Sequence, residues 1–238
     1  MSVLSGKVAY ITGGTKGIGF GIAQALLAKG MRVAFTSRTA EAAQQAAVSL
    51  GNDPTKVIAL VSNVSSMANE VKAVQATIAQ FGQLDVLVAN AGVGIFGNIE
   101  TLTEKDWHDT IDTNLTGVFN SVKASLSALK ASKGYIITIA SLAGTNFFET
   151  ASAYNASKFG LVGFTQAIML DLRKDGVKVT TIMPGSVATH FNNHTPNAAD
   201  AWKIQPEDIG QMVVDILNMN PRTLPSKIEV RPSMPGKG

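Results

Sequence analysis

The sequence predicts a doubly wound α/β domain, a three-layer sandwich in which a parallel sheet of about seven strands lies between two layers of helices. Short Val- and Ile-rich runs alternate with longer helical segments along the 238 residues. The strand runs are rich in Val and Ile and do not alternate between apolar and polar residues, which is typical of strands buried on both faces of a parallel sheet. No linker rich in proline, glycine or serine interrupts the pattern, so we expect one domain over residues 1–238.

Four strands and three helices account for the first part of the chain. Segments with helical spacing of apolar residues follow β-rich segments, and the first two helices end at Gly30 and Gly51, a residue type that commonly stops a helix. In order, the elements are strand 7–12, helix 17–30, strand 31–37, helix 40–51, strand 56–61, helix 67–82 and strand 84–92.

The second part continues the same alternation. Its elements are one long or broken helix within 103–131, strand 135–141, helix 151–174, strand 177–185, a helix near 206–219 and strand 226–232. Ligands of doubly wound folds bind beyond the carboxyl ends of the strands. Residues that directly follow a strand are therefore the candidates for a site.

Composition excludes several classes of function. The net charge of +3, with no run of basic residues, does not favour nucleic acid as a partner. The absence of cysteine excludes disulfides, thiolate nucleophiles and cysteine-ligated metals. The N-terminus lacks the pattern of a signal peptide, and no run approaches the roughly 18–20 apolar residues that cross a bilayer. We expect a soluble, cytoplasmic protein without a membrane partner.

Glycines cluster where the first strand passes into the first helix, in the segment TGGTKGIG. Gly13, Gly17 and Gly19 permit a tight turn and the close approach of backbone N–H groups to phosphate. The helix that begins here adds the positive end of its dipole. A dinucleotide site is indicated, and a tight turn of purely structural purpose is the alternative.

The end of the second strand indicates which dinucleotide binds. An acid there would accept a hydrogen bond from the ribose 2′-hydroxyl, whereas an arginine accommodates a 2′-phosphate. The chain has Ser37 and Arg38 at this point, and Lys16 adds a second cation from the glycine turn. Two cations attract a phosphate, so we predict NADP(H). Each cation alone would be an ordinary solvated charge.

Further motifs follow in a fixed order: NAG at 90–92, Asn114 in DTNLTG, Ser141 in IASLAG, YNASK at 154–158 and PGSVAT at 184–189. With the glycine turn, this series resembles the short-chain dehydrogenase/reductases over essentially the whole chain, and within them the 3-oxoacyl-carrier-protein reductases and related ketoreductases. The resemblance implies a Rossmann-type fold, nicotinamide-dependent interconversion of alcohols and carbonyls, and a catalytic set of Asn114, Ser141, Tyr154 and Lys158.

The spacing of Tyr154 and Lys158 suits a proton-transfer pair. Residues four apart share one face of a helix, so the ammonium and the phenol can meet. A free phenol has a pKa near about 10, and a nearby cation favours its ionised form. We expect the lysine to lower the pKa of Tyr154. By the resemblance, Ser141 also bonds the substrate oxygen, Lys158 holds the nicotinamide ribose and Asn114 supports a water.

The resemblance also implies a set of cofactor contacts. One position departs from the family, since Asn63 stands before Val64 where an aspartate commonly holds the adenine, and its amide still offers an acceptor. The predicted cofactor-binding residues are Gly13, Thr15, Lys16, Gly17, Ile18, Gly19, Ser37, Arg38, Asn63, Val64, Asn90, Ala91, Gly92, Tyr154, Lys158, Pro184, Gly185, Val187 and Thr189.

Residues 190–205 are predicted to form the loop over the active site. Phe191 and Trp202 could cover an apolar ligand, and Phe96, Phe147 and Phe148 are candidates for the pocket wall or for the core. No acid lies near enough to His190 and His194 in sequence to suggest a metal site, so we read both as loop residues and predict no metal.

The segment 151–174 is apolar over more than one helical face. A second buried face of that kind indicates association, and we expect a homodimer or homotetramer.

The sequence therefore predicts an NADP(H)-dependent oxidoreductase that reduces a ketone or 3-oxoacyl thioester to a secondary alcohol, with a tyrosine as the acid. Two alternatives stay open. One is an NAD-linked alcohol dehydrogenase of the same family, and the other is a catalytically silent dinucleotide-binding regulator.

Overall fold

The computed structural model describes residues 3–234. Its strands β1 to β7 are Val8–Ile11, Arg32–Ser37, Val57–Val61, Val86–Ala89, Tyr135–Ile139, Lys178–Pro184 and Lys227–Val230. Its helices α1 to α7 are Gly17–Ala28, Ala40–Ser49, Met67–Phe81, Glu104–Ile111, Gly117–Ser132, Ser152–Leu172 and Pro206–Asn218.

All seven strands are parallel and form one sheet in the order β3-β2-β1-β4-β5-β6-β7. The direction of winding reverses between β1 and β4, and a crevice therefore opens at the carboxyl ends of these two strands. The predicted doubly wound sheet is confirmed. That residues 1–238 form a single domain stays a prediction.

Two cores lie on opposite faces of the sheet, because successive strand residues point to opposite sides. On one face Ala9 and Ile11 of β1 pack with buried residues of α1, α2 and α7. On the other face Val8 and Tyr10 pack with buried residues of α3, α5 and α6. The sheet is thus covered on both sides, as the unbroken apolar runs predict.

Short polar residues start several helices. Thr39 caps α2 by accepting from the Ala42 N–H, and Ser66 caps α3 by accepting from the Asn69 N–H. Thr103 and Asp106 form a reciprocal capping box at the start of α4. At its other end α3 stops at Gly82, whose φ of 81° is left-handed.

The segment predicted as one long or broken helix is broken. A π-helical turn, Asp112–Thr116, separates α4 from α5. Such turns insert an extra residue and occur frequently at functional sites. Here the turn carries Asn114 into the interior, where the side chain is fully buried.

A buried carboxylate was not anticipated from the sequence. Glu70 of α3 is fully buried and accepts hydrogen bonds from the hydroxyls of Tyr10, Ser62 and Ser121, at 2.6 to 3.2 Å. Burial, with the neighbouring carboxylate second, raises the pKa of Tyr10 well above its ordinary value. The phenol therefore stays a hydrogen-bond donor to Glu70, and the network ties β1, α3 and α5 together below the cleft.

Candidate active site

A cleft of about 1490 Å³ opens at the carboxyl ends of the central strands. Most of the predicted site residues line it, namely Gly13, Thr15, Lys16, Gly17, Ile18, Ser37, Arg38, Asn63, Val64, Asn90, Ala91, Gly92, Ser141, Tyr154, Pro184, Gly185, Val187 and Thr189. Three predicted residues, Gly19, Asn114 and Lys158, are absent from this lining and are buried. The structure thus brings the motifs to one place, with some of them in a supporting layer.

The glycine turn has little room for side chains. Gly13 has a left-handed φ of 66°, and a Cβ there would lie 3.0 Å from the Cα of Ala91. A Cβ on Gly19 would lie 2.5 Å from the Asn90 amide nitrogen. That nitrogen donates to the carbonyls of Thr12 and Gly13. Asn90 therefore stabilises the turn through these hydrogen bonds, and the absence of a side chain at Gly19 leaves room for its amide.

The start of α1 is open to an anion. Its N-cap residue, Lys16, makes no side-chain cap hydrogen bond, and Gly17 and Ile18 of the first turn line the cleft. A helix start without a side-chain cap leaves backbone N–H groups for another acceptor, and the dipole favours negative charge there. The geometry suits the phosphates of a dinucleotide.

Two cations flank this end of the cleft. Lys16 and Arg38 are both exposed, and within residues 3–234 neither side chain has a carboxylate oxygen inside the 4.0 Å of an ion pair. Both line the cleft, as do Ser37 and residues of the first turn of α1. Their charge is therefore available to a ligand.

Asn63 differs from the expectation that its amide oxygen is free for adenine. That oxygen accepts hydrogen bonds from the backbone N–H of Ser65 at 3.2 Å and from the Ser65 hydroxyl at 2.9 Å. Both of its lone pairs are engaged within its own turn. Next to it, Val64 is buried and its carbonyl accepts from the Asn120 amide.

The phenol of Tyr154 borders the cleft in the first turn of α6. Its side chain is 7% exposed, and Ser141, directly beyond β5, lines the cleft beside it. The Ser141 oxygen accepts a hydrogen bond from the Ala143 N–H, which orients the serine at the start of a short 3₁₀ turn. Phenol and hydroxyl thus face one ligand space.

Lys158 lies one turn further along α6 and is buried. Its Nζ donates to the Ile139 carbonyl at 3.2 Å and lies 5.7 Å from the centroid of the Tyr154 ring. Tyr154 and Lys158 are therefore close to each other, as the sequence predicts. Among the hydrogen bonds of residues 3–234, however, none joins the ammonium to the phenol oxygen.

The expected lowering of the Tyr154 pKa by Lys158 is not found. Burial raises the pKa of Tyr154 to about 12, and a hydrogen bond with Ser141 opposes the rise only in part. Burial also lowers the pKa of Lys158 to about 8. Loss of solvation penalises the charged form of each group, and at this separation it outweighs their attraction.

Asn114 is used in holding the site together. Its amide nitrogen donates to the Val93 carbonyl and to the Ser157 hydroxyl, and its oxygen accepts from the Val93 N–H. A Cβ on Gly92 would lie 3.2 Å from the Asn114 oxygen and 3.7 Å from Lys158 Nζ. The side chains of Asn114 and Lys158 therefore meet behind Gly92. That Asn114 also supports a water stays a prediction.

The far wall of the cleft also follows the sixth strand as expected. The Gly185 N–H donates to the Val230 carbonyl, which ties the PGSVAT segment to β7. Val187 pairs with Ile204 in an isolated parallel bridge. A Cβ on Gly17 would lie 3.1 Å from Thr189 Cγ2, so Thr189 packs against the start of α1.

Aromatic rings surround the phenol. The ring centroid of Tyr154 lies 5.2 Å from that of Phe96 and 5.7 Å from that of Phe191, and Phe148 lies 6.1 Å from Phe96. Phe147 was also a candidate for the wall, but it is 81% exposed, stacks on Phe159 and does not line the cleft.

The histidines are placed differently from one another. His190 and His194 line the cleft in the predicted loop, and His194 hydrogen-bonds Asp200, six residues away, at 2.6 Å. This contact with an acid was not anticipated from the sequence. His108 lies in α4. In the part of the chain that the structure describes, no three side chains of metal-binding type converge.

Comparisons with known proteins match this arrangement. A sequence model of the family "short chain dehydrogenase" matches residues 7–200. An "uncharacterized oxidoreductase" of Staphylococcus aureus is 34% identical over 234 residues, which cover 98% of this chain and 100% of the relative. The chain belongs to the short-chain dehydrogenase/reductase family.

Solved members of the family share its fold. A metagenomic short-chain oxidoreductase in complex with NADP is 32% identical, with a TM-score of 0.85, covering 98% of this chain and 100% of that one. A 3-ketoacyl-(acyl-carrier-protein) reductase of Brucella melitensis, complexed with NADH, is 24% identical, with a TM-score of 0.88, covering 97% of this chain and 98% of that one. The second likeness concerns the fold alone.

This family member is an oxidoreductase, and its membership confirms the resemblance drawn from the motifs. The match ends at residue 200, so α7 and β7 lie outside it. Among the helices of residues 3–234, none combines the length and the apolar character needed to cross a bilayer.

Several residues that shape the site were missed by sequence reasoning. The Thr12 hydroxyl accepts from the N–H groups of Asn90 and Ala91, and the Thr36 hydroxyl accepts from the Gly13 N–H. Ser157 binds Asn114. Thr12 and Ser157 lie inside the motifs TGGTKGIG and YNASK, which could have marked them, whereas Thr36 lies outside every motif. The partners of all three hydroxyls are distant along the chain, so their contacts could not be read from the sequence.

The buried ammonium of Lys158 predicts a pH-dependent stability. Its pKa is about 8 in the fold and 10.5 in the ordinary state, so between these values the unfolded chain binds more protons and stability rises with pH. Relative to Lys158→Met, the wild-type free energy of unfolding should rise by about 2 kcal/mol from about pH 7 to about pH 9.5. Urea unfolding at both pH values measures this difference.

The window lies below pH 10, where the raised pKa of Tyr154 does not yet contribute. Lys123→Met is the control, since Lys123 is an exposed residue of α5. Its difference from wild type should stay constant with pH. A constant difference for Lys158→Met as well would contradict burial as the source of the shift.

Proposed function

We propose that the protein is an NADP(H)-dependent ketoreductase that reduces a ketone or a 3-oxoacyl thioester to a secondary alcohol, with Tyr154 as the proton donor. The observation that carries the proposal is the convergence on one cleft of the glycine turn, two unpaired cations and a protonated phenol beside Ser141.

The described residues fit a nicotinamide dinucleotide. The uncapped start of α1 would hold the pyrophosphate, and Lys16 and Arg38 would hold a 2′-phosphate. Val64 and Asn63 would border the adenine, with the Asn63 amide nitrogen as the polar group left to it. The segments 90–92 and 184–189 would border the nicotinamide half.

The bound NADPH would supply a hydride to the carbonyl carbon of the substrate. Tyr154 gives its proton to the carbonyl oxygen, and its pKa of about 12 means that the phenol carries that proton at neutral pH. The Ser141 hydroxyl donates to the same oxygen as charge develops there. Lys158 then stabilises the buried phenolate, because its ammonium lies one helical turn away.

Two alternatives have less support. An NAD-linked dehydrogenase would gain nothing from the cations at Lys16 and Arg38, and an oxidative direction would need a phenol that has already lost its proton. A silent dinucleotide-binding regulator would not need the tyrosine, serine and lysine that surround the ligand space.

The test is the oxidation of NADPH and of NADH by the purified protein with a panel of small ketones and 3-oxoacyl thioesters. The proposal expects substrate-dependent oxidation of NADPH, with a kcat/KM at least about 10-fold above that for NADH. A preference for NADH would favour the first alternative. Binding of NADPH without turnover of any carbonyl would favour the second.

We also propose that residues 1–238 act as one domain, in the cytoplasm, as a homodimer or homotetramer. Phe119 of α5 is 42% exposed and contacts Phe164 of α6, and Leu170 of α6 is 60% exposed. Apolar side chains left on adjoining helices support a face that another subunit covers. Sedimentation as a monomer at micromolar concentration would contradict the association.

A further inference from the structure

The wall beside the phenol is aromatic. Phe148 and Phe191 line the cleft, and Phe96 packs behind them against Tyr154; we name these three residues the aromatic wall. Phe96 and Phe191 each contact the Tyr154 ring, and their own centroids lie 6.4 Å apart at 75°, an edge-to-face arrangement. The rings of Phe148 and Phe191 therefore offer flat apolar surface to a substrate whose carbonyl reaches the phenol.

The position of Phe191 depends on the backbone beneath its ring and on the loop that carries it. A Cβ on Gly94 would lie 2.3 Å from Phe191 Cε1, so the ring lies directly on the backbone after β4. The loop that carries Phe191 is anchored at Asp200, which is buried and binds His194 at 2.6 Å and Lys203 at 2.6 Å. The position of the ring is thus built into the loop.

Two bases that line the cleft, Lys203 and Arg231, already bind carboxylates of this chain. Lys203 binds Asp200, and Arg231 binds Glu229 at 3.0 Å. The carboxylate of Asp112, also on the cleft, has the same sign as an acidic substrate and cannot hold one. Among the lysines and arginines that line the cleft, Lys16 and Arg38 have no carboxylate partner within residues 3–234, and they come from the glycine turn and the end of β2. Lys158 lies outside this lining and donates to the Ile139 carbonyl.

We propose that the substrate is an uncharged ketone that carries an aryl group on its carbonyl carbon, and that Phe191 selects this group by packing against its ring. The inference rests on the proposed function. In the reaction, the C=O π bond breaks, the carbon gains a hydride and the oxygen gains the Tyr154 proton. One NADPH is oxidised to NADP⁺ for each 1-arylalkanol formed, and solvent returns the proton to the phenol.

The arrangement accounts for both parts of the selection. Flat rings prefer offset or edge-to-face contact with other rings, and this preference adds to the burial of apolar area. A saturated ring of the same size gains the burial alone. A carboxylate on the substrate would lose hydration against these rings, and the cleft-lining bases Lys203 and Arg231 already bind Asp200 and Glu229.

The experiment compares kcat/KM with saturating NADPH for three ketones: methyl phenyl ketone, methyl cyclohexyl ketone and 4-acetylbenzoate. The enzymes are wild type, Phe191→Leu and Phe147→Leu. Leucine keeps apolar bulk and removes the ring, so the phenyl-to-cyclohexyl ratio should fall by about 2- to 12-fold in Phe191→Leu. The same change at Phe147, which is off the cleft, should leave the ratio unaltered.

A second readout is inhibition of the wild type by 1-phenylethanol and by 1-cyclohexylethanol, which does not depend on the reactivity of the carbonyl. We expect 1-phenylethanol to inhibit the wild type at lower concentration than 1-cyclohexylethanol does. In Phe191→Leu the two alcohols should have equal inhibition constants. We also expect 4-acetylbenzoate to be reduced at least about 10-fold less well than methyl phenyl ketone.

The two failures are distinguishable. If ketones are reduced but the ratio is unchanged in Phe191→Leu, or if 4-acetylbenzoate or a 3-oxoacyl thioester is the preferred substrate, this inference is overturned and the proposed function stands. If neither ketones nor thioesters are reduced although NADPH binds, the proposed function fails and the inference fails with it.

Discussion

Tyr154→Phe should lower kcat/KM for carbonyl reduction by about 10³-fold, because the variant keeps the ring and loses the acid. Proton donation by a positioned side chain contributes roughly 10²–10⁴-fold. The phenol borders the cleft and holds its proton at neutral pH, since burial raises its pKa to about 12. Steady-state kinetics with saturating NADPH measure the loss, and it should appear in kcat.

The ring of Tyr154 packs against Phe96 and Phe191, and phenylalanine preserves these contacts. The dissociation constant for NADPH should therefore stay within a few-fold of wild type. Tyr135→Phe is a matched control, because Tyr135 is equally buried at 7% exposure but bonds Thr180 at 2.7 Å away from the cleft lining. It should cost about 1 kcal/mol of stability and leave the kinetics alone.

More than about a tenth of wild-type turnover in Tyr154→Phe would assign the proton to another donor, with Ser141 the first to examine.

The parts of this site that the sequence predicted are those with local causes. Gly13 and Gly17 follow a strand and precede a helix, and a tight turn there has no other common residue choice. Tyr154 and Lys158 share a helix face by spacing alone. The sheet follows from apolar runs in strict alternation with helices, since strands covered on both sides need no polar face.

The remaining features depend on contacts between distant segments. Asn114 reads as a turn residue, yet a π-helical turn places it against Val93 and Ser157. Glu70 reads as an exposed helix residue, and only the folded chain brings three hydroxyls to it. The pKa of Lys158 also depends on the folded chain, because burial, not sequence spacing, lowers it.

The shared lesson concerns electrostatics. Spacing predicts which charges are neighbours, but the solvation that each group loses depends on the whole packed structure. Asn63 shows the same limit for hydrogen bonds, since its acceptor is present in the sequence and already engaged in the fold. Lys16 and Arg38 are exposed, so this loss of solvation does not apply to them, and their role at a 2′-phosphate stays a prediction.

Arg38→Asp should raise the KM for NADPH by about 100-fold and lower the KM for NADH. The 2′-phosphate carries about two negative charges, which the guanidinium binds through charge-assisted hydrogen bonds and which a carboxylate would repel. At saturating NADPH, kcat should change little, since the lost contact is equal in ground and transition states. An aspartate at this position can instead accept from the free 2′-hydroxyl of NADH.

Ionic strength sharpens the test, because Arg38 and Lys16 are exposed and salt screens their attraction for phosphate. The KM of the wild type for NADPH should rise with salt, and that of Arg38→Asp should rise less. Arg222→Asp makes the same charge change at an exposed residue that does not line the cleft, and it should keep the NADPH preference. An unaltered preference in Arg38→Asp would place the 2′-phosphate elsewhere and remove the argument for NADP(H), because Lys16 alone would then be an ordinary surface cation.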